Sequence, residues 1–278
     1  MIVHSKFVTI PHTCVEYVHP WTNSCAAAST GLLLAAIPEA LRIYITAYTL
    51  ALLMRGKIPS KKDIKRTILG ILQSSAFLTC HAFGYSMVNC LLRRILGHYN
   101  FLTVSFLPCF ISSIFAILVE RPSRRSLLSL YVTNVASETL YRMAVYRGLI
   151  RPIQFGEVLI FSLSTSFLLY FFRNQQSDSF RDSILVCSGM LAVSCSLIPS
   201  RLSFFFYRDN TIALYVMWKT FQILYNRGAE KKMLPELPQA SVFFHCLSTA
   251  ILFHAALLEP HNLRPSYWRF LLGMSGER

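Results

Sequence analysis

Glu120–Gly148, ERPSRRSLLSLYVTNVASETLYRMAVYRG, decides the fold, because its latter half and the apolar run after it recur further along the chain. Shifted by 84 positions, Leu130, Tyr131 and Val132 fall on Leu214, Tyr215 and Val216, Leu140 and Tyr141 on Leu224 and Tyr225, and Leu163, Ser164 and Thr165 on Leu247, Ser248 and Thr249. Ten of the 39 positions from Leu130 to Leu168 are identical without a gap. Roughly three would match by chance in so apolar a composition, so the spacing predicts a duplicated two-helix unit. In each copy a helix with a polar stripe precedes an apolar helix. The first stripe is Tyr131, Asn134, Glu138, Tyr141 and Arg142; the second is Tyr215, Trp218, Lys219, Gln222, Tyr225 and Asn226, at steps of about three or four residues. Glu138 and Arg142, acid four residues before base, are spaced to pair. Facing lipid, they would together cost roughly 5 to 7 kcal/mol.

The rest of the composition sets these units in a bilayer. Of 278 residues, 54% are hydrophobic and 14% charged, and the mean hydropathy is +0.45, whereas an average soluble domain is about 25% charged. The expected class is all-α, a multi-pass transmembrane helical bundle with an internal two-helix repeat. Thr67–Leu92 and Phe101–Val119 contain no Asp, Glu, Lys or Arg, and with 184–200 and 237–258 they approach or exceed the roughly 20 apolar residues that span hydrocarbon. Ala26–Met54 is apolar but broken by Pro38, Glu39 and Arg42. A charge at mid-bilayer costs roughly 2.5 to 3.5 kcal/mol, so Glu39 and Arg42 are expected to form an intramembrane ion pair or point into the bundle. Small residues Gly70, Ser74, Ser75 and Gly84 suit close helix packing, and Pro108 is a candidate kink.

These signals divide the chain into a Cys/His-containing segment (1–25), N-terminal transmembrane helices (26–122), repeat unit 1 (123–172), a linker and transmembrane helix (173–206), repeat unit 2 (207–258) and a tail (259–278). In the tail, Tyr267, Trp268, Phe270, Leu271 and Leu272 beside Arg264 and Arg269 predict a short helix lying in the membrane interface.

The net charge of +14 lies between apolar runs rather than on one soluble face. Nucleic acid is therefore not the expected partner; the lipid bilayer and its anionic headgroups are. Arg55, Lys57, Lys61, Lys62, Lys65 and Arg66 form a basic patch in one connection, each contributing on the order of 1 kcal/mol at an anionic leaflet. By the positive-inside rule that connection stays on the side of synthesis. The eight cysteines are scattered and form no secreted disulfide framework. His12, Cys14, His19 and Cys25 place four soft ligands in a short stretch. Three readings stay open: a zinc site, a Cys14–Cys25 disulfide, or free thiols at the membrane surface. The motifs of metalloproteases, α/β-hydrolases and P-loop enzymes are absent, and His245 and His254 read as packed histidines. No enzymatic activity and no cofactor are expected. The first residues do not read as a signal peptide and the last as no peroxisomal or ER-retrieval address, so targeting is expected to be internal.

The chain resembles the transmembrane protein 135 family. The resemblance is carried by PHTCVEYVHPWTNSC at 11–25, EALRIY at 39–44, ILQSSAFLT at 71–79, ERPSRR at 120–125, ETLYRMAVYRG at 138–148, GEVLIF at 156–161 and LRPSYWRFLL at 263–272. It implies a multi-pass protein of mitochondrial and peroxisomal membranes, associated with fission and fusion balance, peroxisome organisation and lipid homeostasis, and with protein partners in organelle division. The helical part is also distantly similar to the channel subunits of the mitochondrial inner-membrane import translocases. Against the family, the charged segment between the two halves is reduced and the tail after Trp268 is short. An alternative function is a lipid or small-solute transporter with a polar path between the repeats, lined by Glu138, Arg142, Lys219 and Gln222.

Overall fold

A computed structural model describes residues 9, 11–54, 60–152, 156–174, 210–230, 232, 233, 235 and 239–275. The helices in chain order are α1 (Cys14–Tyr17), α2 (Cys25–Met54), α3 (Lys61–Leu96), a π-turn (Leu102–Phe106) leading into α4 (Leu107–Val119), α5 (Pro122–Tyr146), α6 (Gly156–Asn174), α7 (Asn210–Glu230), α8 (Ala240–Leu258) and α9 (Pro265–Ser275). Among the described residues there is no strand, and the chain is an all-α multi-pass membrane protein. Cys25–Leu53, Lys61–Leu96, Leu102–Val119 and Ala240–Leu258 are each long and apolar enough to cross a bilayer. The expected span at 184–200 and nearly all of the linker lie outside the described residues. Two compact units are formed, 1–133 with 239–278, and 134–238. The second sequence copy contributes α7 to one unit and α8 to the other.

The first unit is an antiparallel stack ordered by polar contacts at successive levels along the helices. Ser29 near the start of α2 donates to Ser86 near the end of α3 at 3.0 Å, while Tyr48 near the end of α2 lies against Gly70 near the start of α3. On the other side of α3, Tyr85 donates to the Val104 carbonyl at 3.0 Å and Gln73 donates to the Val119 carbonyl at 2.8 Å, so α4 runs back alongside it. Helix α8 packs on α4, with Ser105 and the His254 ring Nδ1 2.7 Å apart at one end and Val242 against the Phe77, Ala116, Ile117, Cys246 core at the other.

The burial pattern is the reverse of a soluble protein's. Inside lie Ser29, Ser74, Ser75, Thr79, His81, Ser86, Ser112, Ser113, Thr133, His245 and Ser248 among small apolar residues; outside lie Leu34, Leu50, Leu53, Ile68, Leu72, Ile95, Phe115 and Leu118. Lipid supplies no hydrophobic drive between helices, so close contact and interhelical hydrogen bonds hold them instead. The bond between the His81 ring and Ser113 (3.0 Å) and that between Thr133 and Ser248 (3.0 Å) are of this kind.

Two prolines act differently from a simple kink. Pro108 has no N–H to give the Val104 carbonyl four residues back; the chain takes a π-turn over Leu102–Phe106 and Tyr85 supplies the missing donor. Pro38 does not interrupt α2, which continues from Cys25 to Met54. Losing one hydrogen bond in so long a helix is tolerated where neighbouring helices pack against it.

Helix α9 is short, as its sequence suggests, and it packs along α2. Its Gly273 reaches Glu39, midway along α2; a Cβ there would stand 3.8 Å from the Glu39 carboxylate carbon.

In the second unit, α6 packs on α7. Trp218 donates its indole N–H to Ser137 at 3.0 Å, and Thr220, buried, reaches the Ser164 carbonyl at 3.4 Å.

At Gly70 a Cβ would lie 2.8 Å from the Tyr48 ring, whereas at Gly31 it would meet nothing within 4 Å. Gly70→Ala is expected to destabilise the bundle by about 1 to 3 kcal/mol through overpacking, seen as a lower unfolding temperature in detergent; Gly31→Ala is expected to be neutral or slightly stabilising. Equal melting of the two variants would refute the close α2–α3 approach.

Candidate functional site

Two constructions stand out, at opposite ends of the first unit. At the end where α2 begins and α3 ends, the N-terminal segment folds back onto the bundle. Thr13 and Glu16 cap α1 reciprocally, the Thr13 amide donating to Glu16 at 2.9 Å and the Glu16 amide to the Thr13 hydroxyl at 3.3 Å. That amide contact holds the Glu16 carboxyl below its ordinary range. Arg93, in the last turn of α3, then grips the segment: its Nε donates to the His12 carbonyl at 2.9 Å and its Nη2 to the Pro11 carbonyl at 3.1 Å. The same guanidinium lies 5.6 Å from the centre of the Tyr99 ring. Tyr99 is fully buried, and burial pushes its phenol well above the ordinary range.

This clamp brings Cys14, His19, Cys25 and Cys90 together, with one ligand atom of each within 4.8 Å of all the others. The Cys14 and Cys25 sulfurs are 3.5 Å apart and the thiols are free. Of the four candidate residues His12, Cys14, His19 and Cys25, the last three fall in this group. His12 does not, and lies 3.5 Å from Glu16 at the exposed surface, one turn along the same segment. Its place is taken by Cys90, which local spacing could not reveal because α3 carries it back to the start of α2 only in the folded chain.

At the other end, the ERPSRR stretch is a buried charge node. Glu120 is fully buried at the close of α4; its Oε1 accepts the Arg121 amide at 3.0 Å and its Oε2 lies 3.8 Å from Arg124. Arg124 donates to the Tyr48 hydroxyl at 2.5 Å and to Ser74, and its guanidinium faces the rings of Tyr44 and Tyr48 at 5.8 and 5.0 Å. Arg121 donates to Gln73 at 2.7 Å, and Arg125 to the Glu120 and Leu118 carbonyls at 3.0 and 2.9 Å. One short connection thus joins α2, α3, α4 and α5. Sequence reasoning missed this node; the acid-to-base step of four between Glu120 and Arg124 is the signal that points to the pair.

The remaining expected residues are placed as follows. Glu138 and Arg142 form an ion pair at 2.6 Å. Asn134 and Glu138 are buried while Tyr131 and Tyr141 of the same stripe are exposed. That stripe is therefore not one continuous inward face: burial along α5 follows what lies beside each turn. In the second stripe Lys219 donates to Gln222 at 3.0 Å and Tyr225 to the Pro235 carbonyl at 2.9 Å; Tyr215 is partly buried and Asn226 exposed. Glu39 and Arg42 form an ion pair at 4.0 Å, with the Glu39 side chain 20% and the Arg42 side chain 79% exposed. Lys61, Lys62, Lys65 and Arg66 are exposed on the first turns of α3; Arg55 and Lys57 lie outside the described residues.

An inverted core, four helices among the described residues that are long and apolar enough to span, and a sulfur-rich cap at one end define a multi-pass helical membrane protein with a cysteine-bearing N-terminal region. Residues 11–145 match the family model for the N-terminal cysteine-rich region of Transmembrane protein 135, and through that segment the chain belongs to the transmembrane protein 135 family. The match includes the whole Cys/His group and the Glu120–Arg125 node. No solved structure matches the chain.

Removing one partner of a buried ion pair leaves the other uncompensated. With Arg124 about a third exposed, Glu120→Gln is expected to cost about 2 kcal/mol, measured as a fall in the unfolding temperature of the purified protein. An unchanged melting curve would show that Glu120 does not anchor the node.

Proposed function

We propose that the chain is a non-enzymatic scaffold of mitochondrial or peroxisomal membranes that regulates the balance of mitochondrial fission and fusion, peroxisome organisation and lipid homeostasis. The observation that carries the scaffold reading is that polar side chains inside the first unit pair with one another across helix boundaries. Ser29 with Ser86, His81 with Ser113, Ser105 with His254 and Thr133 with Ser248 are paired helix to helix. Polar groups spent on one another hold helices in register, whereas a conduit keeps them turned toward a cavity. The resemblance to the family is what supports the organelle roles. Exposed Lys61, Lys62, Lys65 and Arg66 supply a surface for anionic headgroups.

Two measurements test this together. Purified protein in liposomes is expected to pass labelled fatty acid and small ions no faster than empty vesicles. In cells lacking the gene, mitochondrial length and peroxisome number are expected to shift and to return on re-expression. Flux above empty vesicles overturns the scaffold reading; unchanged organelles overturn the regulatory one.

A further inference from the structure

We propose that Cys14, His19, Cys25 and Cys90 form a structural zinc site that fastens the N-terminal segment to the membrane bundle. The dimensions fit. A tetrahedral ion with Zn–S of about 2.3 Å and Zn–N of about 2.0 to 2.1 Å sets its ligand atoms roughly 3.5 to 3.8 Å apart. The Cys14–Cys25 sulfur separation is 3.5 Å, and the longest separation in the group is within 4.8 Å. Small side-chain rotations close the set.

His19 supplies the second, independent observation. Its Nδ1 lies 2.9 Å from the Thr22 carbonyl, which fixes the proton on Nδ1 and holds the ring. Its Nε2 is buried and makes no hydrogen bond, and the residue is 1% exposed. A buried imidazole nitrogen with a free lone pair costs energy unless something accepts it. An imidazole oriented by a carbonyl on one nitrogen and offering the other is the arrangement metal-bound histidines use.

The alternatives explain less of the geometry. A Cys14–Cys25 disulfide needs sulfurs about 2.05 Å apart and assigns nothing to Cys90 or His19. Three thiolates and one imidazole favour zinc over calcium or magnesium, which take oxygen ligands. Four protein ligands leave no open coordination position, so the ion is structural rather than catalytic. On binding, each thiol gives its proton to solvent and its sulfur lone pair to the metal. The ligands come from α1, the loop after it, the first residue of α2 and the last turns of α3, so one ion ties three helices where Arg93 already grips the backbone.

The test is metal content of the full chain purified in detergent without chelator or added metal, with helicity followed by circular dichroism. About one zinc per chain is expected, unchanged in His12→Ala, reduced to background in Cys90→Ser and retained in Cys90→His. Cobalt exchanged into the wild-type protein is expected to give the sulfur-to-metal absorption of a tetrahedral thiolate site, a readout that stands even if Cys90→Ser loses its helicity. Background zinc together with no such cobalt absorption overturns the proposal. So does zinc retained in a folded Cys90→Ser, or a Cys14–Cys25 disulfide found by mass spectrometry of the unreduced chain.

Discussion

Hydrocarbon gives a polar group nothing to bond to, and the architecture follows from that constraint. Its strongest expression is the Glu120–Arg124 node, where a carboxylate buried at the end of α4 faces a guanidinium that also reaches Tyr48 and Ser74. A carboxylate buried this completely is not tolerable without a partner. Together with two tyrosine rings they form a knot through which α2, α3, α4 and α5 are held. Because Tyr48 must lie flat against α3 to meet Arg124, only a glycine at position 70 lets the helices come close enough.

Above the node the same rule operates with weaker groups. Hydroxyls and imidazoles pair across helix boundaries, and each pair sets a depth at which two helices must be level. A proline that removes a donor from one helix is answered by a phenol from the next, as Tyr85 answers Val104. At the far end, beyond the apolar run of α3, the constraint relaxes. The order there comes from Arg93 holding backbone carbonyls and from a buried cluster of sulfur and imidazole.

The sequence made the membrane class plain, because charge-free runs such as Phe101–Val119 permit little else. It was less informative about α2. Pro38, Glu39 and Arg42 count against a span when read locally, but the helix is carried past them by its packing on α3 and α9. In the ERPSRR stretch the charges are adjacent in sequence, and that Glu120 points inward is a property of the fold. His12 and Cys90 show the same limit from both sides. His12, a neighbour within the segment, lies beside Glu16 and outside the group, while Cys90, which joins it, sits on a helix whose return is visible only in three dimensions. The polar stripes were legible as patterns, yet their exposure varies turn by turn with the helices beside them.

The central claim is that Arg124 couples α5 to α2 through Tyr48. A double-mutant cycle on unfolding free energy, with Tyr48→Phe, Arg124→Ala and the pair, measures that coupling directly. An interaction energy of about 1 to 3 kcal/mol is expected; strictly additive effects would contradict it.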